Sequence, residues 1–390
     1  MAWAYQTVSS ATVRSLVRVH VGGDAVEVRV SNRFGKSPLA VGAATVAVSA
    51  GGAALAPGAA TVLTFAGSRG VTVPAGGSVT SDPAALATSP EQVLAVSVFV
   101  VGTASLTSHY PCCEASTPSF VSGPGSGDLT SDASGSVFGY RAPWSRLVDA
   151  VSVRRPASSP GSIVVLGDSI SDGFNSTVRW PDLLQQRIDA LPPGQRPAVI
   201  DEGNTANTLT ALANSDAATG GGPPGLERWA SDVASLPGVS TVVLFLGTND
   251  LYFGASAAQV IAGMGHATTA AHEQGLRIVG VTLLPRRPGG EAWTPLQQRR
   301  LAEVNRWTLS TTAFDAVADL APVVSDIYGG QCDPLALFPA YDSGDHLHLS
   351  AAGAAALANA FPLSVLGLPP LPPVPPVLAT PRTPGCTPPQ

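Results

Sequence analysis

In the first 150 residues, apolar and polar positions alternate with a period of two. Val26, Val28 and Val30 are separated by Glu27 and Arg29, which puts valines on one face and charges on the other, as in a half-buried strand. Residues 13–21, 44–48, 71–73 and 93–101 are similarly short and valine-rich. Gly22-Gly23-Asp24, Gly51-Gly52 and Pro74-Ala75-Gly76-Gly77 punctuate them as turns. The expectation is an all-β sandwich. Residues 121–137, rich in Gly, Ser and Asp, read as a loop.

Near residues 156–161 the pattern changes. Apolar runs at 163–166, 241–246 and 278–284 have the length of fully buried strands. Helical stretches lie between and after them. Residues 180–191 place Pro181 early, where its missing N–H is harmless. Residues 256–274 stop at Gly275, although Gly263 and Gly265 weaken the pattern. Thr294 and Gln297 form a capping-box start for a helix to about Thr308. Residues 350–361 make an alanine-rich last helix. Alternating strands and helices predict a parallel sheet covered on both faces. Functional sites in such sheets lie at the carboxyl ends of the strands.

Length and composition extend this picture. The chain has 390 residues, so two domains are expected. They are placed at 1–155 and 156–362, followed by a Pro-rich tail at 363–390 that reads as extended polyproline-like chain. With 12% charged residues and a net charge of -6, the chain lacks the basic character of a nucleic-acid or anionic-membrane binder. No segment has the apolar length of a membrane span. The first twenty residues carry Arg14 and Arg18 and do not read as a signal peptide; secretion is nonetheless the expected fate. Four cysteines are too few for a disulfide scaffold. Cys112 and Cys113 are adjacent, Cys332 and Cys386 could pair, and no spacing resembles a zinc site. No oligomeric state follows from the sequence.

Three distant pieces carry candidate chemistry: Gly167-Asp168-Ser169 after the first buried strand, Gly247-Thr248-Asn249-Asp250 after the second, and Asp345-His346-Leu347-His348 before the last helix. A serine hydroxyl is a weak nucleophile near neutral pH and needs a base to take its proton. Histidine has the right pKa for that task, and a carboxylate holds it in one tautomer. The expected roles are Ser169 nucleophile, His348 general base and then acid, and Asp345 orienter. Asp168 and Asp250 read as turn formers. Each piece also has a bland reading as an ordinary turn, and Asp345, His346 and His348 could instead hold a metal. His346 reads as a polar loop residue. His109, His266 and His272, and the large Trp180 and Trp293, read as structural. The expected chemistry requires no metal or organic cofactor.

Taken together, the pieces resemble the SGNH, or GDSL-type, hydrolase superfamily of esterases and lipases over residues 160–362. Gly167-Asp168-Ser169 is similar to its nucleophile block, Gly203 to its second-block glycine, Gly247-Thr248-Asn249-Asp250 to G-x-N-D, and Asp345-His346-Leu347-His348 to D-x-x-H. The stretch preceding them is similar to a β-sandwich domain of some bacterial relatives. The resemblance implies a flavodoxin-like three-layer α/β/α core with a parallel sheet, preceded by an all-β sandwich. It also implies an oxyanion hole made by the Ser169 and Gly203 backbone N–H groups and the Asn249 side-chain amide. The chain departs from the family pattern at Asn204-Thr205-Ala206, where a Ser-Gly pair is usual, and at Leu349-Ser350, where Pro-Asn is common. The expected activity is hydrolysis of a small-molecule or polysaccharide ester, with short acyl or carbohydrate acetyl groups favoured. Two other classes fit the same features: a glycan-binding or adhesion protein with an inactive core, and an O-acyltransferase.

Overall fold

In a computed structural model of the chain, residues 6–371 are described, apart from 59, 107–117, 143–146, 213–221, 288–292 and 328–332. The four cysteines, His109 and the chain beyond residue 371 lie outside the described residues. The chain divides into two compact units, Met1–Ser158 and Ser159–Gln390.

The first unit is β-rich. Strands Gln6–Val19, Leu39–Gly51 and Gln92–Leu106 run antiparallel side by side. They are longer than the valine clusters alone indicate. The intervening Ser, Thr, Ala and Gly positions continue the ladder, because backbone hydrogen bonds and cross-strand neighbours override weak individual preference. In a second antiparallel sheet, Gly23–Ser31 pairs with Ser78–Thr80, Ala84–Thr88 and Val148–Arg154. The alternation at 26–30 is realised: the three valines are buried, and Glu27 and Arg29 are partly exposed. Val28 and Val30 of this sheet share one core with Val46 and Val96 of the first, each fully buried.

Most of residues 122–139 are irregular, yet they are tied down by an arginine that the pattern does not reveal. Arg14 is fully buried. Its guanidinium donates to Ser97 Oγ at 2.8 Å, to Asp132 O at 2.8 Å and to Ala53 O, and it lies 4.3 Å from the centre of the Phe138 ring. Burial pushes its pKa down to about 10. A buried guanidinium is tolerated only because it is so fully hydrogen-bonded.

The second unit is built on a parallel sheet. Its strands are β1 (Ser162–Gly167), β2 (Val199–Gly203), β3 (Val239–Phe245), β4 (Arg277–Val281) and β5 (Ala316–Ala318). The spatial order is β2-β1-β3-β4-β5, with every pairing parallel. Strands β2 and β5 lie at the sheet edges, and neither was expected. Val199-Ile200-Asp201-Glu202-Gly203 breaks its apolar run with two carboxylates, and Ala316–Ala318 is too short to show a period.

Both faces of the sheet are covered. Val165, Val243, Phe245, Val279 and Val281 share a core with α2 (Trp180–Ile188) and α8 (Ala351–Ala360). Val164, Leu166, Val242 and Leu244 alternate with them and are equally buried on the other face. Helices α5 (Ala257–Glu273) and α6 (Pro295–Ser310) pack against each other, and α5 also packs on β4. Both start with capping boxes, Ser256/Gln259 and Thr294/Gln297. After α5 the chain turns through Gly275 at φ +69°. Gly263 has a packing reason: a Cβ there would lie 2.4 Å from Thr210 Cγ2. Leu363–Leu366, assigned to an extended tail in the sequence reading, instead form a 3-10 turn whose two leucines enter the core. Apolar burial outweighs the proline-rich context up to Leu371. Among the described residues, no helix is long and apolar enough to cross a membrane.

Replacing Arg14 with Met removes the donors that hold the 122–139 loop. We expect the first unit to lose about 3 kcal/mol, from several hydrogen bonds to a charged group. A urea titration followed by near-UV circular dichroism measures this. A midpoint equal to that of the parent chain contradicts it.

Candidate active site

Strand β1 ends at Gly167, where a side chain would collide with Ser171 Oγ at 2.3 Å. Asp168 then caps the short helix α1 (Ser169–Asp172) by accepting from Ile170 N at 2.9 Å. That places Ser169 in the first helical position at the carboxyl end of β1, an interior strand of the sheet. Burial pushes the Asp168 carboxyl up to about 6.

The segment Asp345–His348 meets Ser169 across 179 positions of sequence. His348 Nε2 lies 2.8 Å from Ser169 Oγ, and His348 Nδ1 lies 2.6 Å from Asp345 Oδ2. An ionised carboxylate only accepts, so Nδ1 carries the proton and Nε2 is left as the acceptor for the hydroxyl. Asp345 Oδ1 accepts from the backbone N–H of His348 at 2.8 Å and of Leu347 at 3.0 Å. Burial works against the Asp345 charge, but these hydrogen bonds outweigh it and hold the carboxyl well below the usual range. Ser169 and His348 are only 4% and 6% exposed, so water has limited access to the pair.

Asn249 lies on α4 (Thr248–Tyr252), which follows β3, the strand paired with β1. One of its amide hydrogens goes to Asn207 O at 2.9 Å, which leaves the second for a bound molecule. Asp250 bonds to its own backbone N–H and does more than form its turn. It reaches across to accept from Leu209 N at 2.7 Å and from Thr210 N at 2.9 Å. Burial raises its pKa.

Gly203 requires a correction. Its N–H donates to Asp201 Oδ1 at 2.9 Å and is therefore committed within the protein. A Cβ at Gly203 would lie 2.4 Å from Asp172 N, so this glycine lets β2 approach α1. The turn that follows is the part facing the site. Asn204 N donates to Gly167 O at 3.1 Å, and Asn207 N closes back on Asn204 O at 3.0 Å. Between them Ala206 adopts φ +60°, a left-handed conformation that costs a non-glycine residue energy. Thr205 Oγ1 donates to Asp172 Oδ2 at 2.6 Å and ties the turn to α1.

Sequence reasoning missed three further residues. Arg228 is 2% exposed and joins the parts of the site: it donates to Gly167 O at 2.8 Å, to Asn207 Oδ1 at 3.0 Å and to Asp232 Oδ2 at 2.9 Å. The ring of Phe174 lies 4.8 Å from the imidazole of His348. Asn175 donates to Asp345 Oδ2 at 2.9 Å. Nothing local marks Arg228, which follows Glu227 and stands four residues before Asp232. All three depend on tertiary contact.

The other residues named from sequence lie apart from these groups. His346 turns to Asp342, with Nδ1 2.7 Å from Oδ2. His272 pairs with Asp315 at 3.1 Å, and His266 is exposed. Trp180 is buried and stacks on Phe361, and Trp293 is buried and donates to Gln298 Oε1. Among the described residues, no group of three or more His, Cys, Asp or Glu side chains is arranged to hold a metal ion.

A hydroxyl–imidazole–carboxylate chain at the carboxyl edge of a parallel sheet is the kind of arrangement that serine hydrolases use. Comparison with known proteins bears on the second unit. The model of the GDSL-like lipase/acylhydrolase family matches residues 165–356, which carry a domain of that type. No curated protein matches the chain. Among solved structures, it is similar to the native aryl esterase of M. smegmatis, with 21% identity, a TM-score of 0.40, and coverage of 51% of this chain and 94% of that one. It is also similar to a lipase/acylhydrolase from Enterococcus faecalis, with 24% identity, a TM-score of 0.40, and coverage of 53% and 94%. A GDSL-like lipase from Bacteroides thetaiotaomicron shows 18% identity, a TM-score of 0.39, and coverage of 53% and 88%.

Replacing Arg228 with Met takes its donors from acceptors on three segments at once. We expect a stability loss of about 3 kcal/mol, the scale of breaking a buried charge network. Differential scanning calorimetry checks this, and an unchanged Tm argues against the joining role.

Proposed function

We propose that this chain is a serine ester hydrolase that works through an acyl-enzyme intermediate. The single observation that carries the proposal is the 2.8 Å approach of Ser169 Oγ to His348 Nε2, with Asp345 on the far side of the ring. His348 takes the hydroxyl proton as Ser169 attacks the ester carbonyl, and Asp345 stabilises the imidazolium that forms. The same imidazolium protonates the departing alkoxide. Water then enters, His348 takes its proton, and the acyl-enzyme is hydrolysed to free acid.

Negative charge develops on the carbonyl oxygen in both steps. The donors assigned to it are the Ser169 N–H at the start of α1, the second Asn249 amide hydrogen and the Ala206 N–H. Ala206 replaces Gly203 in this role, because Gly203 is occupied by Asp201 and the turn carrying Ala206 is anchored to Gly167 and Asn249. Such prearranged donors contribute most where water is excluded.

For the substrate we propose an ester of a short acyl group, with acetylated carbohydrates included. The low exposure of Ser169 and His348 favours a small acyl group over a long chain. In this reading the catalytic unit is a flavodoxin-like three-layer α/β/α core, and the first unit is a β-sandwich of jelly-roll type. No step needs a metal or an organic cofactor.

With p-nitrophenyl acetate, Ser169→Ala is expected to abolish turnover while leaving the fold intact by circular dichroism. Full activity in that variant overturns the proposal. Asn249→Ala is expected to lower kcat by roughly 10²–10³ with little change in KM, as for loss of one oxyanion donor. A rise in KM alone would place Asn249 in ground-state binding instead.

A further inference from the structure

The segment that follows the nucleophile helix touches every member of the proposed catalytic chain. Gly173 N and Phe174 N both donate to Ser169 O, at 3.0 and 2.9 Å, so the segment winds back onto the nucleophile residue. Phe174 then lays its ring against His348 at 4.8 Å. Next, Asn175 adopts φ +59°, a left-handed conformation that Asn tolerates better than most residues. From there its Nδ2 donates to Asp345 Oδ2 at 2.9 Å, the same oxygen that receives His348 Nδ1 at 2.6 Å. Oδ1 is already taken by two backbone N–H groups, those of Leu347 and His348. The carboxylate is thus gripped through both oxygens, and among the described residues Asn175 supplies the grip that comes from the Ser169 side.

We propose that Asn175 is a positioning residue for the acid–base pair, aiming Asp345 Oδ2 at the His348 ring through an amide hydrogen bond. This inference rests on Ser169, His348 and Asp345 being the catalytic residues. The amide does two things. It fixes the rotation of a carboxylate that otherwise faces solvent along one edge. It also shares the negative charge of Oδ2, which moderates how strongly that oxygen stabilises the imidazolium. Asn175 is exposed and outside the hydrophobic core, so its replacement tests positioning rather than folding. The charged groups around the pair stay constant in the comparison: Asp168 and Arg286 on the neighbouring turns, and the Asp342–His346 pair on the same loop.

Two variants separate the effects. Asn175→Gly keeps the left-handed backbone and deletes the amide. Asn175→Asp keeps the shape and replaces a donor with a second negative charge. For Asn175→Gly we expect kcat on p-nitrophenyl acetate to fall about tenfold with KM within about twofold and Tm unchanged, the scale of one hydrogen bond to a charged group. For Asn175→Asp we expect the acid limb of the kcat/KM–pH profile to move up by about one unit, because a second carboxylate favours the protonated imidazole. Parental kcat in the first variant together with a parental acid limb in the second overturns the inference. A fall in kcat that only follows a loss of folded protein also overturns it. If Ser169→Ala retains turnover, the catalytic assignment fails and this inference fails with it. If Ser169→Ala is dead and the Asn175 variants are silent, only the inference about Asn175 fails.

Discussion

The hydrogen bond between Ser169 and His348 is the contact on which the rest of the site depends, and no local preference produces it. The two residues are separated by 179 positions, and only the parallel sheet brings them together. In a parallel sheet the strands' carboxyl ends share one edge, so the turns after β1, β2 and β3 converge there. Each turn brings one kind of group: a hydroxyl after β1, backbone N–H groups after β2, a side-chain amide after β3. The imidazole arrives last, from the loop before α8, and α8 packs on α2. Burial of the apolar sheet faces therefore sets the geometry within which a 2.8 Å contact can form.

Around that contact, environment divides similar side chains into different tasks. Asp168, Asp250 and Asp345 are all aspartates near one site. Asp168 is pushed up to about 6 by burial and caps a helix. Asp250, raised by burial, holds the loop at 209–210. Asp345 goes the other way, since its hydrogen bonds overcome burial and keep it ionised. Its depressed folded-state pKa means that it stabilises the fold above the ordinary carboxylate range, and that this contribution is lost as pH falls toward the folded value. A carboxylate that stays charged throughout the working range is what an imidazolium partner requires.

Much of this was legible from the chain. Long apolar runs such as 163–166 and 241–246 read correctly as buried strands, because burial on both faces leaves a continuous apolar signature. The Thr294/Gln297 capping box located the start of α6, and Gly275 marked the end of α5, through local chemistry alone. Ser169, Asn249, Asp345 and His348 stood out because each occupies a short motif beside such a strand or helix. Edge strand β2 was invisible, since Asp201 and Glu202 interrupt its apolar run; burial pushes the Asp201 carboxyl up to about 7, and Arg179 lies 3.5 Å from it. Gly203 was misplaced for a related reason. A glycine marks close backbone approach, and sequence does not say whether the neighbour is a substrate oxygen or, as here, the backbone of α1. Arg228 and Asn175 act across 61 and 170 positions, distances over which no periodicity carries information.

The turn at 204–207 shows how a strained conformation can be held by the site around it. Glycine adopts φ near +60° without strain, whereas alanine at 206 costs on the order of 1 kcal/mol. Such a conformation persists only where its surroundings over-determine it. Here they do so from four sides. Asn204 N is fixed to the end of β1, and Thr205 Oγ1 to Asp172 on the nucleophile helix. Asn207 is held through its carbonyl by Asn249 and through its side chain by Arg228. The left-handed residue is enclosed by partners that themselves belong to the other parts of the site. The strain at Ala206 is therefore offset by the same contacts that bring hydroxyl, amide and turn into register, and substituting any of those partners should loosen the turn before it loosens the sheet.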